Sequence, residues 1–114
     1  MPNFGPIGWN RLGNDIDGEN SGDESGRSVS LSADGTILAI GAPFNDSNSI
    51  NSGHVKVYAW NGSSWVRRGT NIDGNNNDDR SGWSVSLSAD GSILAIGAIG
   101  NNSYAGNVIV YEFK

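Results

Sequence analysis

The 114-residue sequence has no cysteine, which excludes disulfides and thiolate-held metals and leaves the redox compartment open. Basic residues are scarce, 7 Lys and Arg against 12 Asp and Glu, for a net charge of −5. The only adjacent basic pair is Arg67-Arg68. Phosphate binding needs clustered cations, so no nucleic-acid partner is expected. No apolar run approaches the ~20 residues of a membrane helix, so no membrane insertion is expected. The opening Met1-Pro2-Asn3-Phe4-Gly5 has neither a charged nor an apolar leader region. A soluble chain with no visible signal peptide is expected, with its compartment unassigned. No stretch of ten or more residues shows helical periodicity. Histidine occurs once, at His54, and its counterpart in the repeat described below is Asn107. Nothing in the sequence positions a Ser-His-Asp arrangement around it, so the chain is not expected to be an enzyme.

What is abundant is glycine, 17 of 114 residues, together with asparagine and serine. All three favour turns, so short strands joined by tight polar loops are expected. The apolar residues gather into short runs that repeat. Ser28 to Ala42 reads SVSLSADGTILAIGA and Ser84 to Ala98 reads SVSLSADGSILAIGA, fourteen matches in fifteen at an offset of 56. The same offset aligns Trp9 to Gly13 with Trp65 to Gly69, and Ile16-Asp17-Gly18 with Ile72-Asp73-Gly74. Gly53 to Tyr58 matches Gly106 to Tyr111 at an offset of 53.

Each copy carries strand signals. Ser28 to Ser32 alternates with period two, and Asp34-Gly35 supplies a hairpin turn. Ile37 to Ala42 is a continuous apolar run suited to a strand covered on both faces. Val55 to Trp60 and Trp65 to Arg68 flank the Asn61-Gly62 turn. Repeated four-stranded antiparallel meanders of this length read as β-propeller blades. The fold class is therefore all-β, with two blades in residues 1–114. Blade 1 covers about 26–70. Blade 2 covers about 82–114 and lacks its outermost strand, whose counterpart is an N-terminal strand at about 8–13.

Two blades do not close a ring, because propellers need roughly four to eight. The expected partner is the chain itself, in a ring completed by homo-oligomerisation with strand exchange between chains. A trimer is favoured and a tetramer is next. Trp9, Arg11 and Leu12 of one chain are expected to meet Val110, Tyr111 and Phe113 of the next.

Gly-x-Ser-Val, Ala39-Ile40-Gly41-Ala42-Pro43 and Gly-x-Val-x-Val-Tyr together resemble the FG-GAP repeat of integrin-α-like propellers, over nearly the whole chain. The resemblance implies a lectin-like or surface propeller that binds proteins or glycans through its loops. The sequence departs from the pattern at Arg27 and Trp83, which stand where the family has phenylalanine, and at Ile99 in place of proline. The family often carries a calcium loop between its first two strands. Here that connection is only Ala33-Asp34-Gly35 and Ala89-Asp90-Gly91, too short to supply six to eight oxygens.

In a propeller of this topology the long loops share one face, and functional groups concentrate on such loops. They hold the candidate ligand-binding residues Asp17, Asn20, Asp23, Asn45, Asp46, Asp73 and Asp78, with Arg27 and Trp83 beside the central channel. Trp83 is placed either to stack on a sugar or to pack between blades, and Arg27 to meet an anion. Ile16 and Ile72 read as core plugs between blades. No cofactor is expected. The competing reading is an oxygen cage for calcium from Asp15, Asp17 and Asp23, or from Asp73, Asp78 and Asp79, whereas Asp and Asn also cap turns through their own backbone. The expected function is a non-catalytic self-assembling binding module for a glycan or protein. The alternative is a structural or engineered minimal propeller fragment with no ligand.

Overall fold

The computed structural model describes residues 6–114, so the leader reading at Met1 to Gly5 lies outside the described residues. Two antiparallel sheets pack face to face. The first contains β1 (Ser28–Leu31), β2 (Ile37–Ala42), β3 (His54–Trp60) and β4 (Trp65–Arg67), paired in that order, with β5 (Ile72–Asp73) also on β3. The second contains β6 (Ser81–Leu87), β7 (Ile93–Ala98) and β8 (Asn107–Glu112). A single turn, α1 (Asn101–Tyr104), precedes β8, and Asn102 and Ser103 within it have left-handed backbone. The fold is all-β and propeller-like. No helix among the described residues is long and apolar enough to cross a membrane.

The hairpin turns follow from the Asp-Gly pairs. Asp34 Oδ1 accepts from the Thr36 amide, the Thr36 hydroxyl and the Ser32 hydroxyl, and Asp90 repeats this set with Ser92 and Ser88. These bonds hold both carboxyls below the usual aspartate range.

Four differences from the sequence reading stand out. Ile72 and Asp73, read as part of a loop, pair with Val55 and His54. The Arg68 amide still bonds the Val57 carbonyl, so β4 and β5 form one outer strand interrupted by a bulge. Strand β6 starts three residues early, at Ser81, through an irregularity between Ser81 and Ser84. Trp9 to Leu12 is not a strand in the single chain, because the edge it matches in sequence belongs to β8 and not to the neighbouring β3.

The core lies between the sheets. Ala39 and Val55 of the first pack on Leu94 and Ile96 of the second, ringed by Val57, Ile72, Val85 and Leu87. Ile72 thus joins the core as expected, and Ile16 is half-buried. The seam is tightest at the inner strands. The Ser28 hydroxyl donates to the Gly82 carbonyl, and the Leu87 amide donates to the Ser30 hydroxyl. Towards the outer strands the sheets diverge, leaving a gap of about 190 Å³ walled by Val57, Ile72, Leu87, Leu94, Tyr111 and Phe113.

Candidate functional site

The loops before β1 and β6 and those after β2 and β7 come together at one end of the sheets. They are stitched by backbone bonds. The Gly74, Asp78, Arg80 and Ser81 amides donate to Gly53, Ile50, Asn51 and Ser52 carbonyls, and the Phe44 amide donates to Asp23. Asp73 in β5 and the loop after it that carries Asp78 are therefore tied into the scaffold.

Asp23 and Asn45 meet directly. Asn45 Nδ2 donates to Asp23 Oδ2 at 2.8 Å, and both residues are buried. Asn45 Oδ1 accepts from the Ser47 amide. The second copy repeats the pair, with Asn101 Nδ2 at 3.4 Å from Asp79 Oδ1 and Asp79 buried. Asp23 and Asn45 are thereby fixed as pins between loops. Both partners recur at offset 56, where Asp23 aligns with Asp79 and Asn45 with Asn101.

The carboxylates proposed for calcium do not converge. Among the described residues no group of three His, Cys, Asp or Glu side chains is arranged to hold a metal. Asp15 and Asp17 share a hydrogen bond, and that bond and the like charge raise the Asp17 carboxyl above its usual range. Asp23 is committed to Asn45. Asp46 Oδ1 accepts from the Asn51 backbone amide and so closes its own loop, whereas Asn51 Nδ2 reaches Asp78 Oδ1 at 3.3 Å and links two loops.

Arg27 and Trp83 come together. The Arg27 guanidinium lies 4.0 Å from the Trp83 ring centroid while its Nη1 pairs with Glu24 at 2.9 Å. Phe44 meets the Trp83 ring edge-on at 6.0 Å, and Arg80 stands over both Phe44 and Tyr104. One face of Trp83 is thus covered by a cation, which favours the packing role over sugar stacking. Phe44, Arg80 and Tyr104 have no counterpart aromatic or cation in the other copy, so repeat logic missed them.

His54 is buried beside β5, with Nδ1 at 4.0 Å from Asp73 Oδ1. That is beyond hydrogen-bond reach, and burial lowers its pKa. Glu19 pairs with Lys56 at 2.6 Å, which holds its carboxyl below the usual range.

Between the two loops of the first copy lies an open cleft of about 450 Å³, bordered by Asn20, Asp23, Phe44, Asp46, Ser47 and Asn51. Three sequence candidates line it together, Asn20, Asp23 and Asp46. Asp17 and Asp73 stand apart from it. The scaffold that builds this cleft has a family signature: residues 16–58 match the FG-GAP repeat. The chain carries an FG-GAP-like repeat. The match runs from the half-buried Ile16 through β1 and β2 to Tyr58 in β3, and so includes both walls of the cleft. No curated protein matches the chain. Strands β6 and β7, outside the matched residues, are nearly identical in sequence to β1 and β2.

Proposed function

We propose that the chain is a non-catalytic propeller module, assembling with copies of itself, that binds a ligand on its loop face. The observation that carries this reading is the cleft between the Asn20 to Asp23 loop and the Phe44 to Asn51 loop. A glycan or a protein loop fits such a face. The combination of an aromatic ring, amides and carboxylates in one open cleft favours glycan hydroxyls, which need several donors and acceptors at once and an apolar patch for the sugar ring. Copies of the cleft on one assembly would add avidity to weak single sites. Catalysis has no support in the geometry: the sole histidine is buried, and Asp73 at 4.0 Å is too far away to orient it.

A glycan array probed with the labelled chain, followed by calorimetry on the best hit, tests the reading. Binding that falls at least tenfold in Asn20→Ala supports it. A chain that binds no glycan on the array overturns the glycan assignment, and surface-protein capture in its place would reassign the face to a protein ligand.

A further inference from the structure

The seam inside the chain has two different halves. The first sheet contributes Ser28, Ser30, Ala39 and Gly41, and the second contributes Val85, Leu87, Leu94 and Ile96. Shifted by the repeat offset, the first half recurs as Ser84, Ser86, Ala95 and Gly97, and the second as Val29, Leu31, Leu38 and Ile40. Strand alternation puts each recurrence on the far side of its own sheet. Those far sides are open along their β1 and β8 strands: Val29 is 60% and Leu31 56% exposed on one, Val108 67% and Val110 62% on the other, whereas Ile40 beside Val29 is already buried at 8%. The chain therefore presents both halves of its own internal seam, one on each outer face.

The N-terminal segment fits the same logic. Within the chain, Gly69 follows β4 and faces Phe113 of the next sheet, where a Cβ would lie 3.6 Å from the ring. Gly13 is the counterpart of Gly69, and Trp60 that of Phe113. A Cβ on Gly13 would lie 2.9 Å from Trp60, and the Trp65 indole nitrogen donates to the Leu12 carbonyl. The segment thus already lies against the first sheet as an outer strand of a preceding sheet would. No strand among the described residues pairs with the outer edge of β8.

From these two relationships we propose that a second copy of this chain docks head to tail. The open face of one copy's second sheet receives the open face of the next copy's first sheet, and residues 9–17 of that next copy pair with β8. The β3 pairings fix the register. Tyr58 faces Arg67, Trp60 faces Trp65 and Val55 faces Ile72. The repeat then sets Tyr111 against Arg11, Phe113 against Trp9 and Val108 against Ile16 of the neighbouring copy. Because the two halves differ, the contact is heterologous and propagates in one direction until it closes on itself. The inference rests on the propeller reading but not on the ligand.

The test uses two variants that each block one half. A Cβ on Gly41 would overlap the Gly82 carbonyl, whereas a Cβ on Gly97 meets only the flexible Ser84 hydroxyl. In the docked pair Gly97 faces the Gly26 carbonyl of the neighbouring copy, so Gly97→Ala leaves the single chain intact and blocks one half. Val29→Glu blocks the other. Light scattering of the unaltered chain is expected at roughly three or four times 12.0 kDa. Each variant alone is expected at 12.0 kDa with an unchanged far-ultraviolet spectrum, and the equimolar mixture is expected to form a one-to-one pair. Val108→Glu repeats the Gly97→Ala arm at an exposed position. A monomeric unaltered chain, a ring that persists in either variant, or a mixture that fails to pair overturns the proposal. Mass is read without ligand, so this outcome and that of the glycan array stand apart.

Discussion

The Ser28 hydroxyl donates to the Gly82 carbonyl at 2.8 Å, across a seam between two sheets that are near copies of one another. Two rungs below, the Ser30 hydroxyl accepts from the Leu87 amide at 3.0 Å. These serines occupy the core side of β1, where an apolar residue would be the simpler choice. Each satisfies a backbone group of the opposite sheet that packing would otherwise leave dry. Replacing either by alanine is expected to cost about 1–3 kcal/mol, because a buried backbone group loses its partner. The counterparts Ser84 and Ser86 are exposed, and in a single chain their alanine variants are expected to stay within ~0.5 kcal/mol. Urea midpoints of the four variants, measured below the concentration at which chains associate, check the contrast.

Gly41 approaches Gly82 so closely that a side-chain carbon has no room, since a Cβ on Gly41 would overlap the Gly82 carbonyl oxygen. Gly82 itself has φ of +92°, a backbone region that side chains rarely adopt. Gly41→Ala must push the sheets apart at their tightest point, and a loss of about 3 kcal/mol is expected, a large share of a small domain's stability. A circular dichroism melt showing a cooperative transition near that of the unaltered chain would contradict this.

Much of the fold was legible because a duplication reports twice. The strands at Ile37–Ala42 and Ile93–Ala98 are apolar in both copies, and Asp34 and Asp90 write the same turn chemistry twice. The bulged strand at Ile72–Asp73 was hidden because two residues carry no period, and its pairing depends on where Gly69 redirects the chain. The Arg27 and Trp83 contact was hidden for the opposite reason. The copies differ at that position, and only the packed seam brings the two residues face to face. Of the loop candidates, the sequence located the polar cluster. It did not tell the buried pins Asp23 and Asn45 from the exposed Asn20, because burial of a loop residue depends on the other loops.

Arg27 covers Trp83 and pairs with Glu24 at the same time. Arg27→Ala is expected to cost about 0.5–1 kcal/mol through the lost ring contact. The ion pair is exposed and adds little. Arg27→Ala is also expected to shift the tryptophan emission to the red as water reaches the indole. Emission unchanged by this substitution would mean that Arg27 does not shield the ring.

His54 makes stability depend on pH in a defined direction. Its folded pKa lies below the ordinary 6.5, chiefly because burial disfavours the imidazolium, with Glu19 and Asp73 opposing the shift. A group depressed on folding stabilises fully above its unfolded pKa. As pH falls below 6.5 the unfolded chain takes up the proton first, so stability drops until the folded pKa is passed. The lowered carboxyls of Glu19, Asp34 and Asp90 act at lower pH, below their ordinary 4.5 and 3.8. Denaturation midpoints between pH 7.5 and pH 5.5 are therefore expected to fall in the unaltered chain and to stay level in His54→Asn, which installs the residue the second copy has as Asn107.

The buried pair of Asp23 and Asn45 decides between a structural and a metal-binding role for the acidic loops. Asn45 is fully buried and uses both ends of its amide, one on Asp23 and one on the Ser47 amide. Asp23→Ala leaves the buried Asn45 amide only its long 3.5 Å contact to Glu19 Oε1, and a loss of about 1–3 kcal/mol is expected. In the copy, Asp79 spends Oδ2 on the Asn76 amide and holds Asn101 at the longer 3.4 Å, so Asp79→Ala is expected to lose less through the amide pair. If Asp23 instead served a cation with Asp15 and Asp17, millimolar calcium would raise the melting temperature of the unaltered chain and not that of Asp23→Ala. A calcium-independent melt in both proteins, together with the stability loss on substitution, is the outcome that the closed Asp23 and Asn45 contact requires.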